Sequence, residues 1–169
     1  MKRIDKLGQM KLSFGMIFSI ILIIVFLGFT FFAIRTLMNI NNAVTIGKFY
    51  DSLQEDIDKA WKASQGSQEE VYSLPQKVKK VCFIDYINSN SGGGGDSELY
   101  EKLRLGYHLD ENVIFFPLGS GGELSSMNIT HIDIIKMTQE DNPLCFDNIK
   151  GKITLNIEKE YGAQLAIIN

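Results

Sequence analysis

From Leu12 to Ile34 no charged residue occurs, a run of 23 positions. At ~1.5 Å rise per residue a helix of that length matches a ~30 Å hydrocarbon core. The run ends in "GFTFFAIRTL", with bulky aromatics. A cleaved secretory signal shows a shorter apolar region followed by small residues, so removal of the run is not expected. A helix of a soluble domain would keep a polar face over this length. The pattern predicts a transmembrane helix over 12–34, preceded by a basic leader over 1–11.

The apolar positions then thin into a stripe: Leu37, Ile40, Val44, Phe49, Tyr50, Leu53, Ile57, Ala60 and Trp61, with Asp51, Glu55, Asp58, Lys59 and Lys62 between them. Spacings of three and four mark one face of a helix. The membrane helix is therefore expected to continue as an amphipathic stalk over 35–66, about 50 residues of helix in all. Gly47 offers a bend and Gly66 a stop.

Beyond it, residues 67–169 read as β-rich. "KVKKVCFIDYI" holds a short apolar run, and "NVIFFPLG" a buried strand ending at Pro117. "NITHIDIIKM" alternates Ile132 and Ile134 against His131 and Asp133, the mark of a third strand. In "KITLNIEKEYGAQLAII", Ile153, Leu155 and Ile157 alternate with polar residues, and a turn at Tyr161-Gly162 leads to a second run, predicting a hairpin. A Gly/Ser loop over 88–97 precedes a short helix from about Ser97 to Leu105, capped by Asp96 or Ser97. The fold class is α+β: a long N-terminal helix packed on a small, mainly antiparallel sheet head. The head becomes a sandwich if "VYSLP" and "ELSSM" are also strands.

Charge sets the orientation. Lys2, Arg3, Lys6 and Lys11 precede the run, and only Arg35 follows it closely. The N-terminus is expected in the cytoplasm and the head outside. From Arg35 onward the chain holds 13 Lys and Arg against 19 Asp and Glu, a net −6. An acidic head argues against nucleic acid as a partner and against anionic lipid headgroups.

Candidate chemistry is sparse. Cys82 and Cys145 predict one disulfide in an oxidising compartment, the alternative being two buried thiols. Asn128-Ile129-Thr130 is an N-glycosylation acceptor in an extracytoplasmic chain, or else an unmodified turn. His131 and Asp133, two apart on a strand, would share a face and could form an acid/base pair, with His108 a second histidine to consider. The bland reading is a solvated face. "GSGGE" at 119–123 lacks the pattern of a nucleophile elbow, and "SGGGGDSE" at 91–98 lacks the ending of a phosphate loop. Both read as flexible loops, and the acidic stretches "LDEN" at 109–112 and "QEDN" at 139–142 as exposed turns. No cofactor, metal or enzymatic activity is expected.

The basic leader, Gly8-Gln9 before a long apolar helix, the amphipathic continuation and a β-rich head with one sparse disulfide together resemble an archaeal type IV pilin-like protein. The resemblance implies a prepilin peptidase cutting between Gly8 and Gln9. It also implies a structural subunit that assembles through its helix, by itself or with other pilus subunits, into an extracellular filament. Lys11 stands where that pattern places Ser, Ser13 where it places Glu, and Leu7 rather than a basic residue precedes Gly8. Gly15-xxx-Ser19 is the small-residue pair that would let helices approach closely. The alternative is an uncleaved single-pass anchor carrying a binding or accessory ectodomain of a membrane complex.

Overall fold

The structure of the chain, a computed structural model, describes residues 14–87, 97–105 and 110–169. The leader with Gly8 and Gln9, the Gly/Ser loop through Asp96, and His108 lie outside the described residues.

Helix α1 runs from Phe14 to Lys62, 49 residues, passing through Gly47 without a break. The chain divides into two compact units, Met1–Asn39 and Ile40–Asn169. In the first, α1 is the described element, and its side chains are exposed apart from a half-buried Ala33. Its hydroxyls are all answered within the helix: Ser19 donates to the Gly15 carbonyl at 2.8 Å, Thr30 to Phe26 at 2.8 Å and Thr36 to Phe32 at 3.0 Å. A helix surrounded by hydrocarbon needs this, because no water is present to take those groups. The Arg35 guanidinium lies 4.5 Å from the centre of the Phe31 ring, a cation held over an aromatic face just past the apolar run.

The second unit is α+β. Strands β1 (Gly66–Ser73), β6 (Lys152–Lys159) and β7 (Ile167–Ile168) form one antiparallel sheet in the order β1-β6-β7. Strands β2 (Lys80–Phe83), β3 (Val113–Phe116), β4 (Ser126–Met127) and β5 (Leu144–Asp147) form a second, in the order β4-β3-β2-β5. Helix α2 spans Ser97–Arg104 and the single-turn α3 Ile134–Met137.

The reason for two apolar runs without alternation is visible in the core. Val81, Phe83, Val113 and Phe115 face α1, joining Ile46, Phe49, Leu53, Ile57, Tyr72, Ile153, Leu155 and Ile157. Their neighbours in sequence, Cys82, Ile84 and Ile114, point the other way and are covered by Leu99, Tyr100 and Leu103 of α2. The four-stranded sheet is buried on both faces, so its two central strands have no polar side. Strand β6 is covered on one face only, and its burial alternates as its sequence does. Gly162, with φ of 81°, supplies the left-handed turn between β6 and β7.

Several local expectations change. "NITHIDIIKM" is not a strand: Asp133 caps α3, its carboxylate accepting from Lys136 N, and the residues before it are irregular. A short polar side chain that satisfies a helix N-terminus outcompetes extension there. His131 and Asp133 consequently do not share a strand face. "VYS" and "SM" do belong to strands, and "LCFD" is a strand the pattern did not mark. "GSGGE" is a tight turn, since a Cβ on Gly121 would collide with the Leu124 carbonyl oxygen. Asn142 of "QEDN" is fully buried.

Cys82 and Cys145 sit opposite one another in the β2–β5 register and are joined as a disulfide. The link spans 63 positions of sequence; its reduction is expected to lower head stability by about 2–4 kcal/mol in the chain-entropy picture, read as a shift in urea midpoint with and without reductant. Leu53 has no exposed surface, and Leu53→Ala is expected to cost about 2–5 kcal/mol in the same experiment.

Candidate functional site

The most organised polar constellation lies where the last turns of α1 meet Asn128–His131. Tyr50, Gln54, Asp58 and Trp61 follow one another at four, four and three positions along α1, which places them on one side of the helix. Each engages the segment. Tyr50 Oη donates to the Asn128 carbonyl at 3.1 Å. Gln54 Oε1 accepts from Thr130 N at 2.9 Å, and Gln54 Nε2 donates to Asp58 Oδ1 at 2.8 Å. His131 Nδ1 donates to Asp58 Oδ1 at 2.8 Å. The Trp61 and His131 rings stack with centroids 3.8 Å apart and planes 5° from parallel.

From the other side Asn112 clasps Ile129, its Nδ2 donating to the Ile129 carbonyl and its Oδ1 accepting from Ile129 N, both at 2.8 Å. Ile129 and Ile132 are buried on either side of His131. The His131 carbonyl accepts from Ala166 N at 3.0 Å, and the Ala166 carbonyl accepts from Asp133 N at 2.8 Å. These contacts hold His131 at φ of 65°, a left-handed conformation that a non-glycine residue keeps only when its surroundings fix it.

The hydrogen bond from His131 holds the Asp58 carboxyl below its ordinary value, with Gln54 and the His131 and Lys62 charges acting in the same sense and burial opposing. Because Nδ1 is committed to Asp58, Nε2 is the imidazole nitrogen left for other partners. The result is an aspartate–histidine pair braced by an aromatic ring. Its evident work is mechanical: it pins Asn128–His131 to α1.

The strand pattern sets His131 beside Asp133, whereas the structure pairs it with Asp58, 73 positions away. No local signal could supply that partner. Asn128 and Thr130 are both exposed and flank the buried Ile129. Ser19 and Gly15 are joined by the hydroxyl–carbonyl bond within α1. Among the described residues no group of three or more His, Cys, Asp and Glu side chains could hold a metal ion.

A second anchoring point closes the end of α1. Lys159 Nζ donates to the Trp61 carbonyl, placing a cation at the negative end of the helix. Tyr72 Oη donates to Asp56 Oδ2 at 3.0 Å, and burial, then Asp56, pushes the Tyr72 phenol far above its usual range. The first half of α1 is one helix long and apolar enough to cross a membrane, and it is compatible with a single-pass anchor.

The chain matches no family model, no curated protein and no solved structure.

Trp61 is the sole tryptophan, so its emission reports on the clip directly. His131→Ala removes the ion pair and the stack together and is expected to cost about 1–2 kcal/mol, with a changed Trp61 emission spectrum in the folded state. Asp58 has a folded value below the ordinary 3.8; its contribution is present above that ordinary value and is lost as pH falls through the folded one. Asp58→Asn should therefore flatten the acid limb of stability against pH, a difference read by urea unfolding at successive pH values.

Proposed function

We propose that this chain is a membrane-anchored extracytoplasmic structural subunit, similar to a type IV pilin or pseudopilin, that self-assembles through its N-terminal helix. The single observation that supports the reading most is the construction of α1. One uninterrupted helix of 49 residues has a first half with exposed apolar side chains and internally satisfied hydroxyls, and last turns that form the core of an α+β head. A tether has no need for such continuity, because a flexible linker holds a head at a membrane equally well. An assembly element gains from it, since the segment that packs against neighbouring helices and the segment that builds the head belong to one helix.

In this reading the N-terminus is cytoplasmic, the head is outside, and a prepilin peptidase cuts between Gly8 and Gln9. Gly15 and Ser19 give the close-approach surface for neighbouring helices, and the Ser19 hydroxyl already bonds within its own helix, so packing there leaves no polar group stranded. Asn128 is the acceptor for an N-linked glycan, on an exposed side chain. Lys11 and Ser13 in place of the usual Ser and Glu favour the second reading, an uncleaved single-pass anchor with an accessory ectodomain.

Intact mass and N-terminal peptide analysis of the native protein from its own membrane fraction separates the two. Loss of residues 1–8, with Gln9 or its pyroglutamate first, is the result expected of a processed pilin-like subunit. Retention of Met1 or Lys2 would sink that reading and leave the anchored module. The same spectrum is expected to show added hexose mass on the peptide holding Asn128.

A further inference from the structure

The outer edge of β1 is unlike the other edges of the head. β4 and β7 have two residues each and β5 four, whereas β1 has eight, "GSQEEVYS", with no Pro and no Lys. Short edges, prolines and lysines are how sheets prevent unwanted pairing. β1 has none of these.

The register says which main-chain groups are free. Leu74 N donates to the Gly151 carbonyl at 2.9 Å, immediately after the pair Ser73↔Lys152. Alternation then turns the main chain of Gln68, Glu70 and Tyr72 toward β6, and that of Ser67, Glu69, Val71 and Ser73 away from it. Among the described residues no main-chain group bonds to those four, and all four are exposed, Val71 at 56%.

Beside this edge runs a groove of about 430 Å³ between α1 and β1. Its apolar floor is made by Val44, Phe49 and Tyr72, and its polar rim includes Thr45, Lys48 and Ser52. A strand added to β1 would direct the residue opposite Tyr72 into it, because cross-strand partners share a face. The next residue on that face lies opposite Glu70, and its immediate neighbour lies opposite Glu69, on the outer face. Among the described residues no Lys or Arg forms an ion pair with Glu69 or Glu70.

We infer that the free edge of β1 is a strand-addition site for an extended, basic segment of another protein. That segment carries Lys or Arg opposite Glu69 and Glu70 and an apolar residue opposite Tyr72. Main-chain bonds from Glu69 and Val71 supply affinity, and the carboxylates and the groove supply sequence preference. A second copy of β1 is a poor occupant. A two-fold axis at Glu69 or Glu70 sets identical carboxylates face to face, and moving it to Gln68 or Val71 leaves them on the diagonal, still within reach. The inference stands whether or not the chain assembles through its N-terminal helix.

The test uses the full chain in detergent micelles and a fluorescein-labelled peptide, Thr-Leu-Thr-Lys-Lys-Thr-Val-Thr, followed by anisotropy. Binding is expected, and the peptide with both lysines changed to glutamate is expected to bind about tenfold more weakly. Glu69→Lys combined with Glu70→Lys should reverse that preference. Val71→Pro removes a donor from the free edge but not from the β1–β6 ladder, and should abolish binding while the thermal unfolding curve is retained. Absence of binding, equal binding of the two peptides, or binding that survives Val71→Pro overturns the inference. So does a dimer that Val71→Pro dissociates in sedimentation, since the edge would then belong to copies of this chain.

Discussion

Ile46, Phe49, Leu53 and Ile57 present one apolar face to two sheets at once, and neither sheet can bury its inner surface without that helix. Phe49 is the centre of the arrangement, meeting Tyr72 of β1 and Phe115 of β3 edge-on at 5.6 and 5.8 Å between ring centroids. Edge-to-face contacts of this kind fix relative orientation as well as burying area. The head therefore cannot be described as a sheet domain to which a helix was attached. Its core includes the last turns of the same helix that is apolar and exposed from Phe14 to Ile34.

Where main-chain pairing stops, side-chain amides take it over. Asn112 answers both main-chain groups of Ile129, and Asn142 answers both of Asp85, accepting from Asp85 N at 3.1 Å and donating to its carbonyl at 2.8 Å. Asn148 donates to the Pro75 and Val78 carbonyls. A buried loop would otherwise strand donors and acceptors at a cost of ~1–3 kcal/mol each. These asparagines let irregular segments lie against the sheets, and the segment from Asn128 to His131 depends on this most. Gln54 meets Thr130 from α1 while Asn112 holds Ile129 from the sheet, leaving the sequon's Asn128 and Thr130 outward.

Among the described residues two surfaces of the chain stay uncovered. The exposed apolar side of α1 suits hydrocarbon or another helix, and the internal bonds of Ser19, Thr30 and Thr36 suit either. The edge of β1 is polar, acidic at its middle and open. A structural subunit and an anchored accessory module would each use both surfaces, the first for packing and contact, the second for tethering and recognition.

The sequence by itself determined which medium each stretch meets. Uncharged length marked the candidate span, three-and-four spacing marked the buried face of α1, and period-two polarity along "KITLNIEK" marked a strand covered on one side. These are local properties, because a side chain's medium is written in its neighbours' polarity. The run "VIFF" marked a buried strand and "VCFI" a short apolar one, but neither said that two faces are covered or by what. Tertiary structure alone decided that α2 covers one face and α1 the other, that β5 pairs with β2, and that Gly66–Ser73 is an edge. It also turned "NITHIDIIKM" from an alternating strand into a capped turn, and joined His131 to Asp58 rather than to Asp133. Pairing, capping and ion-pair partners are chosen by which distant element supplies the better burial and the free hydrogen-bonding group, and periodicity along the chain holds no record of that choice.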